Sequence, residues 1–345
     1  MIDVHDIAGM NRLRAGLRLD PHRLKRLRVA FYKNHRGADQ ALAELPESVR
    51  SSAREQIRFH CLQLDSATDS TIDGATKLIF RTHDELQIET VILRVQSGRT
   101  ALCVSSQVGC GADCAFCATG KLGLRRNLEA AEILDQIIQA NLYLSDEGRR
   151  VRNIVFMGMG EPFHNESNLY TALAVLRDKE CFHHSPAQVS VSTVGIPEAM
   201  LRFPIRAPGV RLALSLHSAR QATRERIIPL AVRYRLETLR DVVSAVSRSQ
   251  GHAVMLEYLM LAGINDQPED LDALDAWAQD LDVHINLIPY NEISDAEGLD
   301  STPKPQREAF ANRLKARGHR VTLRYSLGAD VGAACGQLVR AENQH

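Results

Sequence analysis

Cys110-Gly-Ala-Asp-Cys-Ala-Phe-Cys-Ala-Thr-Gly120 places three cysteines, Cys110, Cys114 and Cys117, in one tight loop. That spacing brings three sulfurs within reach of one metal centre. A cubane iron–sulfur cluster has four irons, normally held by four thiolates. With three thiolates and no fourth cysteine nearby downstream, one iron is left open to a substrate or cofactor. A structural zinc would need a closed set of four ligands, usually paired as C-x2-C, and no second pair follows. Three unrelated reduced cysteines are the bland alternative, and tight clusters are seldom accidental in a chain with 7 cysteines.

Outward from this loop the fold can be read. From Arg99 on, short apolar runs alternate with amphipathic helical stretches. The strand candidates are Ala101–Ser105, Ile154–Met157, Val189–Thr193, Arg211–Leu216, Val254–Leu259, His284–Ile288 and Val321–Arg324. Between them Ile133, Ile137, Ala140 and Leu144 share one helical face, with Asn127 as a candidate cap. Leu239, Val242, Val243 and Val246 share another, stopped by Gly251. Leu271, Leu274 and Ala278 follow Pro268, and Phe310 and Leu314 precede Gly318. The alternation predicts an α/β fold with a parallel sheet, a partial or full β/α barrel. In such barrels reactive groups sit on loops at the C-terminal ends of strands, where the cysteine loop falls. Lys77-Leu-Ile-Phe80 and Glu89-to-Val95 predict a β-hairpin around Thr82-His-Asp84. Residues 1 to about 60 read as helical. The domains expected are 1–75 (accessory), 76–98 (hairpin) and 99–345 (barrel).

The 345 residues are 44% hydrophobic and 24% charged, as in a globular protein. No uninterrupted apolar run is long enough to span a bilayer, and Met1–Met10 lacks the features of a secretory signal. An odd cysteine count fits a reducing cytosol, so a cytoplasmic location without membrane contact is expected. Net charge is zero, which argues weakly against a protein coated in nucleic acid. Yet Arg12, Arg14, Arg18, Arg23, Lys25, Arg26, Arg28, Lys33 and Arg36 crowd the start of the chain. They form either a solvated helix face or a contact to RNA.

Cysteine spacing followed by Ala118-Thr-Gly120 resembles the radical S-adenosylmethionine (SAM) superfamily, which implies a [4Fe-4S] cluster and SAM as cofactors. Further motifs narrow the resemblance. Gly158-Met-Gly-Glu-Pro162 follows a strand and offers close backbone approach and a carboxylate. Ser192 and Thr193 end one strand and Ser215-Leu-His217 the next. Ile285-Asn-Leu-Ile-Pro289, Leu102-to-Cys110 and Ala333-Ala-Cys-Gly-Gln-Leu338 complete the set. From about Glu89 to Leu338 these motifs resemble the RlmN/Cfr family of radical SAM RNA methyltransferases. That family folds as a partial β/α (TIM-like) barrel with a small, mostly helical accessory domain. It methylates carbon 2 or carbon 8 of adenine in large-subunit ribosomal RNA and, for one branch, transfer RNA.

The resemblance implies roles for particular residues. Cys110, Cys114 and Cys117 hold the cluster. Gly160, Glu161, Ser192, Ser215, Leu216, His217 and Asn291 contact SAM. Cys335 carries a methyl group, Glu89 accepts a proton, and Cys103 closes a disulfide with Cys335. A cytosolic electron donor, a disulfide reductant and a monomeric state are also implied. Ser192-Thr-Val-Gly-Ile196 and Tyr290 are Cfr-like, whereas Pro289 is RlmN-like. Leu327-Gly-Ala-Asp330 and Val331-Gly332 depart from the family's usual pattern. Two competing readings are radical chemistry on a peptide or small molecule, and a non-catalytic iron–sulfur RNA-binding module.

Overall fold

The computed structural model describes residues 1–95, 98–293, 296 and 298–338. β1 (Ile2–Asp3) and β2 (Ile57–Arg58) form a small parallel pair. The main sheet begins with β3 (Gln63–Asp69), β4 (Ala75–Arg81), β5 (Gln87–Arg94) and β6 (Thr100–Cys103). After β6 come the short antiparallel partners β7 (Gln107–Gly109) and β8 (Leu124–Asn127). The sheet resumes with β9 (Asn153–Phe156), β10 (Val189–Thr193), β11 (Arg211–Ser215), β12 (Val254–Met260), β13 (Val283–Pro289) and β14 (Val321–Leu323). Its order is β14-β13-β12-β11-β10-β9-β6-β5-β4-β3, ten strands in all.

β6 is the pivot. It pairs antiparallel to β5 and parallel to β9, and from there to β14 every pairing is parallel. Parallel strands need crossover helices. These are Ala130–Ser145, Glu166–Arg177, Pro197–Arg206, Leu236–Gln250, Pro268–Ala278 and Lys304–Ala316. Their apolar faces, Ile133, Ile137 and Leu144 in the first and Leu239, Val243 and Val246 in the fourth, are almost fully buried. Among the described residues the sheet ends at β14 and β3 without joining, so the barrel is partial. No helix of the described residues is long and apolar enough to cross a membrane.

The hairpin expected around Thr82–Asp84 is β4–β5, and it continues the main sheet. β3, inside the stretch read as accessory, pairs with β4 and forms the sheet's edge. The helical N-terminal segment packs around Leu24, Leu27 and Phe31, all buried. Its basic run is partly committed, with Arg26 and Arg36 paired to Glu44 and a buried Arg28 to Glu180. The first crossover helix is capped by Glu129 in a reciprocal capping box with Glu132, not by Asn127. Asn127 instead ends β8, where its amide oxygen accepts from Gln107 Nε2 at 2.7 Å.

Candidate active site

The loops leaving the C-terminal ends of β6, β9, β10, β11 and β12 surround one cleft of about 840 Å³ including its open mouth. Cys110, Cys114 and Cys117 line it together with Gly160, Glu161, Ser192, Ser215, His217 and Cys335. The cysteine loop is held from both sides. Cys110 N–H bonds Gly123 C=O at 3.1 Å, and Ala115 N–H bonds Ile227 C=O at 2.9 Å. Burial pushes the Cys110 thiol up to about 12 and Cys114 well above the usual range. Thiols so placed ionise only with a cation to compensate them, which metal binding supplies. Among the described residues no three His, Cys, Asp or Glu side chains converge on a single metal-ion position. A cubane cluster asks something different, one thiolate for each iron corner, and three thiols on one cleft wall suit it.

Glu161 is the second element. It is 3% exposed, and its two oxygens accept from Phe163 N–H at 3.0 Å and Val194 N–H at 2.8 Å. Burial pushes its carboxyl up to about 7 against the pull of those backbone donors. A buried carboxylate facing a cleft is matched to a cationic ligand group. Gly160 beside it has φ +99°, and an added Cβ would stand 2.5 Å from Gln107 Cβ. Only glycine lets the turn lie this close. Gln107 completes the turn by accepting from Glu161 N–H at 2.8 Å.

Ser192 and Ser215 end neighbouring strands, and their hydroxyls lie 3.3 Å apart. His217 takes a left-handed φ of +56°. Its Nδ1 accepts from Leu259 N–H at 3.0 Å, which leaves the proton of the neutral ring on Nε2. Burial, then the Arg224 charge, lowers its pKa to about 3. Phe116 of the cysteine loop meets this ring edge-on at 4.7 Å. Leu216 stands behind the wall, fully buried, offering backbone only. Asn291 also stands behind it and donates from Nδ2 to Cys335 C=O at 3.1 Å.

Cys335 is the exposed thiol among the described cysteines, while Cys103 is buried. Its loop is tied to the cysteine loop. Ala118 N–H bonds Gly336 C=O at 2.8 Å, and Thr119 Oγ1 donates to Leu338 C=O at 2.5 Å. The surrounding walls, then Glu257 and Cys117, push the Cys335 thiol up to about 11. Cys103, at the end of β6, is raised by burial and then by the charge of the Cys335 thiolate. Cys103 and Glu89 stand beside the cleft rather than in its lining. Glu89, 1% exposed, has Lys77 Nζ 3.7 Å from its Oε1. Its backbone is stitched to the Gly158–Pro162 turn, because Ser105 Oγ donates to Glu89 C=O at 2.6 Å and accepts from Met159 N–H at 2.9 Å.

Four residues of this architecture escaped the sequence reading. Gln107 lies within the Leu102–Cys110 motif and Lys77 within the Lys77–Phe80 run, but neither was singled out. Glu257 lines the cleft from β12, its carboxyl raised by burial, with Asn286 Nδ2 donating to it at 3.1 Å. Arg224 is fully buried on helix Gln221–Ile227. Its Nε donates to Leu216 C=O at 3.1 Å and its Nη2 to Val194 C=O at 2.5 Å, tying two cleft loops together. A signal existed, since Arg224 shares helical phase with buried Ile227 and Ile228.

Comparison with known proteins agrees with this geometry. The radical SAM superfamily model matches residues 104–274. A probable RNA methyltransferase of Rhodopirellula baltica is 50% identical over 97% of this chain and 87% of its own. A probable dual-specificity RNA methyltransferase RlmN of Thermus thermophilus is 39% identical over 91% of this chain and 88% of its own. The crystal structure of a radical SAM methyltransferase from Sphaerobacter thermophilus superposes with TM-score 0.92 at 32% identity, covering 98% of this chain and 99% of that one. With its three-cysteine cleft, its partial barrel and relatives of this identity along nearly its whole length, the chain belongs to the RlmN-type family of radical SAM methyltransferases.

Proposed function

We propose that the protein methylates a ring carbon of adenine, carbon 2 or carbon 8, in large-subunit ribosomal RNA, with transfer RNA as the second candidate substrate. The observation that carries this reading is Cys335, an exposed residue that lines the same cleft as Cys110, Cys114 and Cys117. An adenine ring carbon is not nucleophilic, so direct transfer from SAM is blocked and a protein-bound carrier is needed. A [4Fe-4S] cluster held by the three cysteines, with SAM, supplies a 5′-deoxyadenosyl radical when bound.

The chain's own residues do the rest. Glu161 receives the SAM ammonium, and Gly160 gives it close backbone approach. Ser192, Ser215 and the Nε2–H of His217 present hydrogen-bonding groups to the cofactor, with Leu216 and Asn291 holding the loops behind them. Cys335 would take a methyl group on its sulfur from one SAM, which leaves as S-adenosylhomocysteine. Once one hydrogen of that methyl has passed to 5′-deoxyadenosine, its carbon would bond the ring carbon of the base, with the unpaired electron handed back to the bound redox group. Glu89 accepts the proton lost from the ring carbon, while Lys77 balances its buried charge. Cys103 then attacks the sulfur of Cys335, the bond from that sulfur to the carbon now on the base breaks, that carbon takes up a proton to become the methyl group, and a Cys103–Cys335 disulfide is left. A cytosolic dithiol reductant returns the pair to two thiols, the enzyme acting as a monomer. The base leaves its stack to reach the cleft.

The test is anaerobic reconstitution with iron, sulfide, reductant, SAM and unmodified ribosomal or transfer RNA, followed by nucleoside mass spectrometry. A methyladenosine product that disappears in Cys335→Ala is expected. Deoxyadenosine release without any methylated nucleoside would reject RNA as substrate. A fully active Cys335→Ala would reject the carrier.

A further inference from the structure

A second cleft, of about 1580 Å³ including open space, lies at the opposite end of the same strands. Thr100 begins β6, Arg152 precedes β9 and Gln188 precedes β10, and all three line it. The cysteine cleft opens at the other ends of these strands, about 15 Å of strand away. Five cations line the second cleft, namely Lys33, Arg99, Arg149, Arg150 and Arg152, and none of its lining residues is acidic. Arg149 is paired with Glu147 at 3.7 Å, and Glu147 is already held by Arg94 through Nε at 2.8 Å.

The charge is not offset from within. His35 and His184 also line the cleft. Burial lowers both, with Arg150 adding to it, and His184 falls to about 4 despite its hydrogen bond to Gln188. Both rings are therefore neutral at physiological pH, and the positive field comes from the lysine and arginines. Arg149 Nη1 and His35 Nδ1 are buried without a hydrogen-bond partner. Like charges gathered in a concave site, with orphaned polar atoms, are stabilised by an anion.

We propose that this cleft binds phosphates of the RNA strand, holding the substrate at the base of the barrel while the target base enters the cysteine cleft at the top. The inference rests on RNA being the substrate. One phosphate is satisfied by two or three such groups. Lys33, Arg149, Arg150 and Arg152, on the N-terminal segment and the loop before β9, suit consecutive phosphates of a chain. Exposed Arg23 and Lys25 lie on that same N-terminal segment.

The test compares wild type, a double variant Arg150→Glu with Arg152→Glu, and a control carrying Arg248→Glu with Arg313→Glu on the crossover helices. Binding of a labelled unmodified ribosomal RNA fragment is followed by fluorescence anisotropy across a KCl series. The cleft variant is expected to bind at least tenfold more weakly, with a salt slope shallower by about 1.4 to 1.8, the signature of two lost phosphate contacts. The control should change less than twofold, and deoxyadenosine release from SAM should match wild type in both variants. RNA affinity and slope unchanged in the cleft variant, with wild-type melting temperature, overturn the proposal. Tripolyphosphate raising the melting temperature of wild type but not of the cleft variant, with RNA binding unaffected, also overturns it and assigns the cleft to a small phosphate ligand. Wild type that binds no RNA fails the function proposed above together with this one, so the two failures are told apart.

Discussion

Asp135 is where the N-terminal segment is fastened to the barrel. It is fully buried on helix Ala130–Ser145. One oxygen pairs with His60 Nδ1 at 2.7 Å, and the other accepts from Cys61 N–H at 2.8 Å and Leu62 N–H at 2.9 Å. Asp135→Ala orphans two backbone donors and an imidazole N–H. At about 1–3 kcal/mol for each buried donor left unmade, discounted for the partly exposed His60, the loss is about 3–5 kcal/mol. Asp135→Asn keeps one oxygen for both backbone donors and turns its amide toward a neutral His60, so it costs about 1 kcal/mol. The two differ in pH dependence as well. Burial lowers the His60 pKa, but the Asp135 hydrogen bond and charge outweigh it and the net direction is up. That contribution is therefore complete below the unfolded histidine pKa of about 6.5 and is lost as pH rises through the raised folded value. Urea unfolding by circular dichroism between pH 5.5 and 8.5 should show wild type losing this increment as pH rises, with a flatter profile in Asp135→Asn. Asp135→Ala within 1 kcal/mol of wild type, or Asp135→Asn as unstable as the alanine variant, would refute the reasoning.

Two further substitutions test the walls of the cysteine cleft. Lys77→Met removes the cation that stands 3.7 Å from the buried Glu89 carboxylate, a loss of about 2–3 kcal/mol in denaturant unfolding. Adding Glu89→Gln should restore most of that stability while leaving methylation lost, and a double variant no more stable than Lys77→Met would contradict the pairing. Arg224→Lys keeps the charge but cannot span Leu216 C=O and Val194 C=O together, so SAM affinity by calorimetry should fall about tenfold. Unchanged affinity would show that those loops hold themselves.

The parallel strands were legible because each is a short apolar run bounded by an amphipathic helix, and all seven appear within one or two residues of their expected limits. β3 was not legible for a physical reason. Gln63-Leu-Asp-Ser-Ala-Thr-Asp69 is an edge strand exposed along almost its whole length, so no alternation of apolar residues marks it. Glu129 was passed over as a cap because Glu is not a usual capping residue. Its reciprocity with Glu132 three positions on was the available sign. Within the site, residues on loops after strands were found together, since the barrel's topology brings those loops to one rim. Lys77 and Gln107 were not, because their importance lies in what they touch across the sheet. Asn291 shows the limit of reading a rim from sequence, since it reaches the Cys335 loop and not the cleft lining.

That loop has to do two opposed things, which its glycines make compatible. In the mechanism proposed above, Cys335 would stay close to the cysteine loop and yet exchange partners, from methyl donor to base to Cys103. Gly336 supplies the closeness. Its φ is +85°, and an added Cβ would stand 2.9 Å from Phe116 C=O, a backbone atom that cannot swing aside. Gly332 also lies at positive φ, +60°, but its added Cβ would meet only Lys77 Nζ at 3.4 Å, the far end of a flexible side chain. Each alanine carries about 1–2 kcal/mol of backbone strain, and Gly336→Ala must in addition part the two loops. A displacement near 1 Å at a reacting group costs about a hundredfold in rate. Gly336→Ala should therefore cut methylation by about that factor while deoxyadenosine release stays within a few fold of wild type. Gly332→Ala should keep methylation within about tenfold. Gly336→Ala methylating at the wild-type rate, or Gly332→Ala proving the worse of the two, would show that the clasp on Cys335 lies elsewhere than in the contact between Gly336 and the cysteine loop.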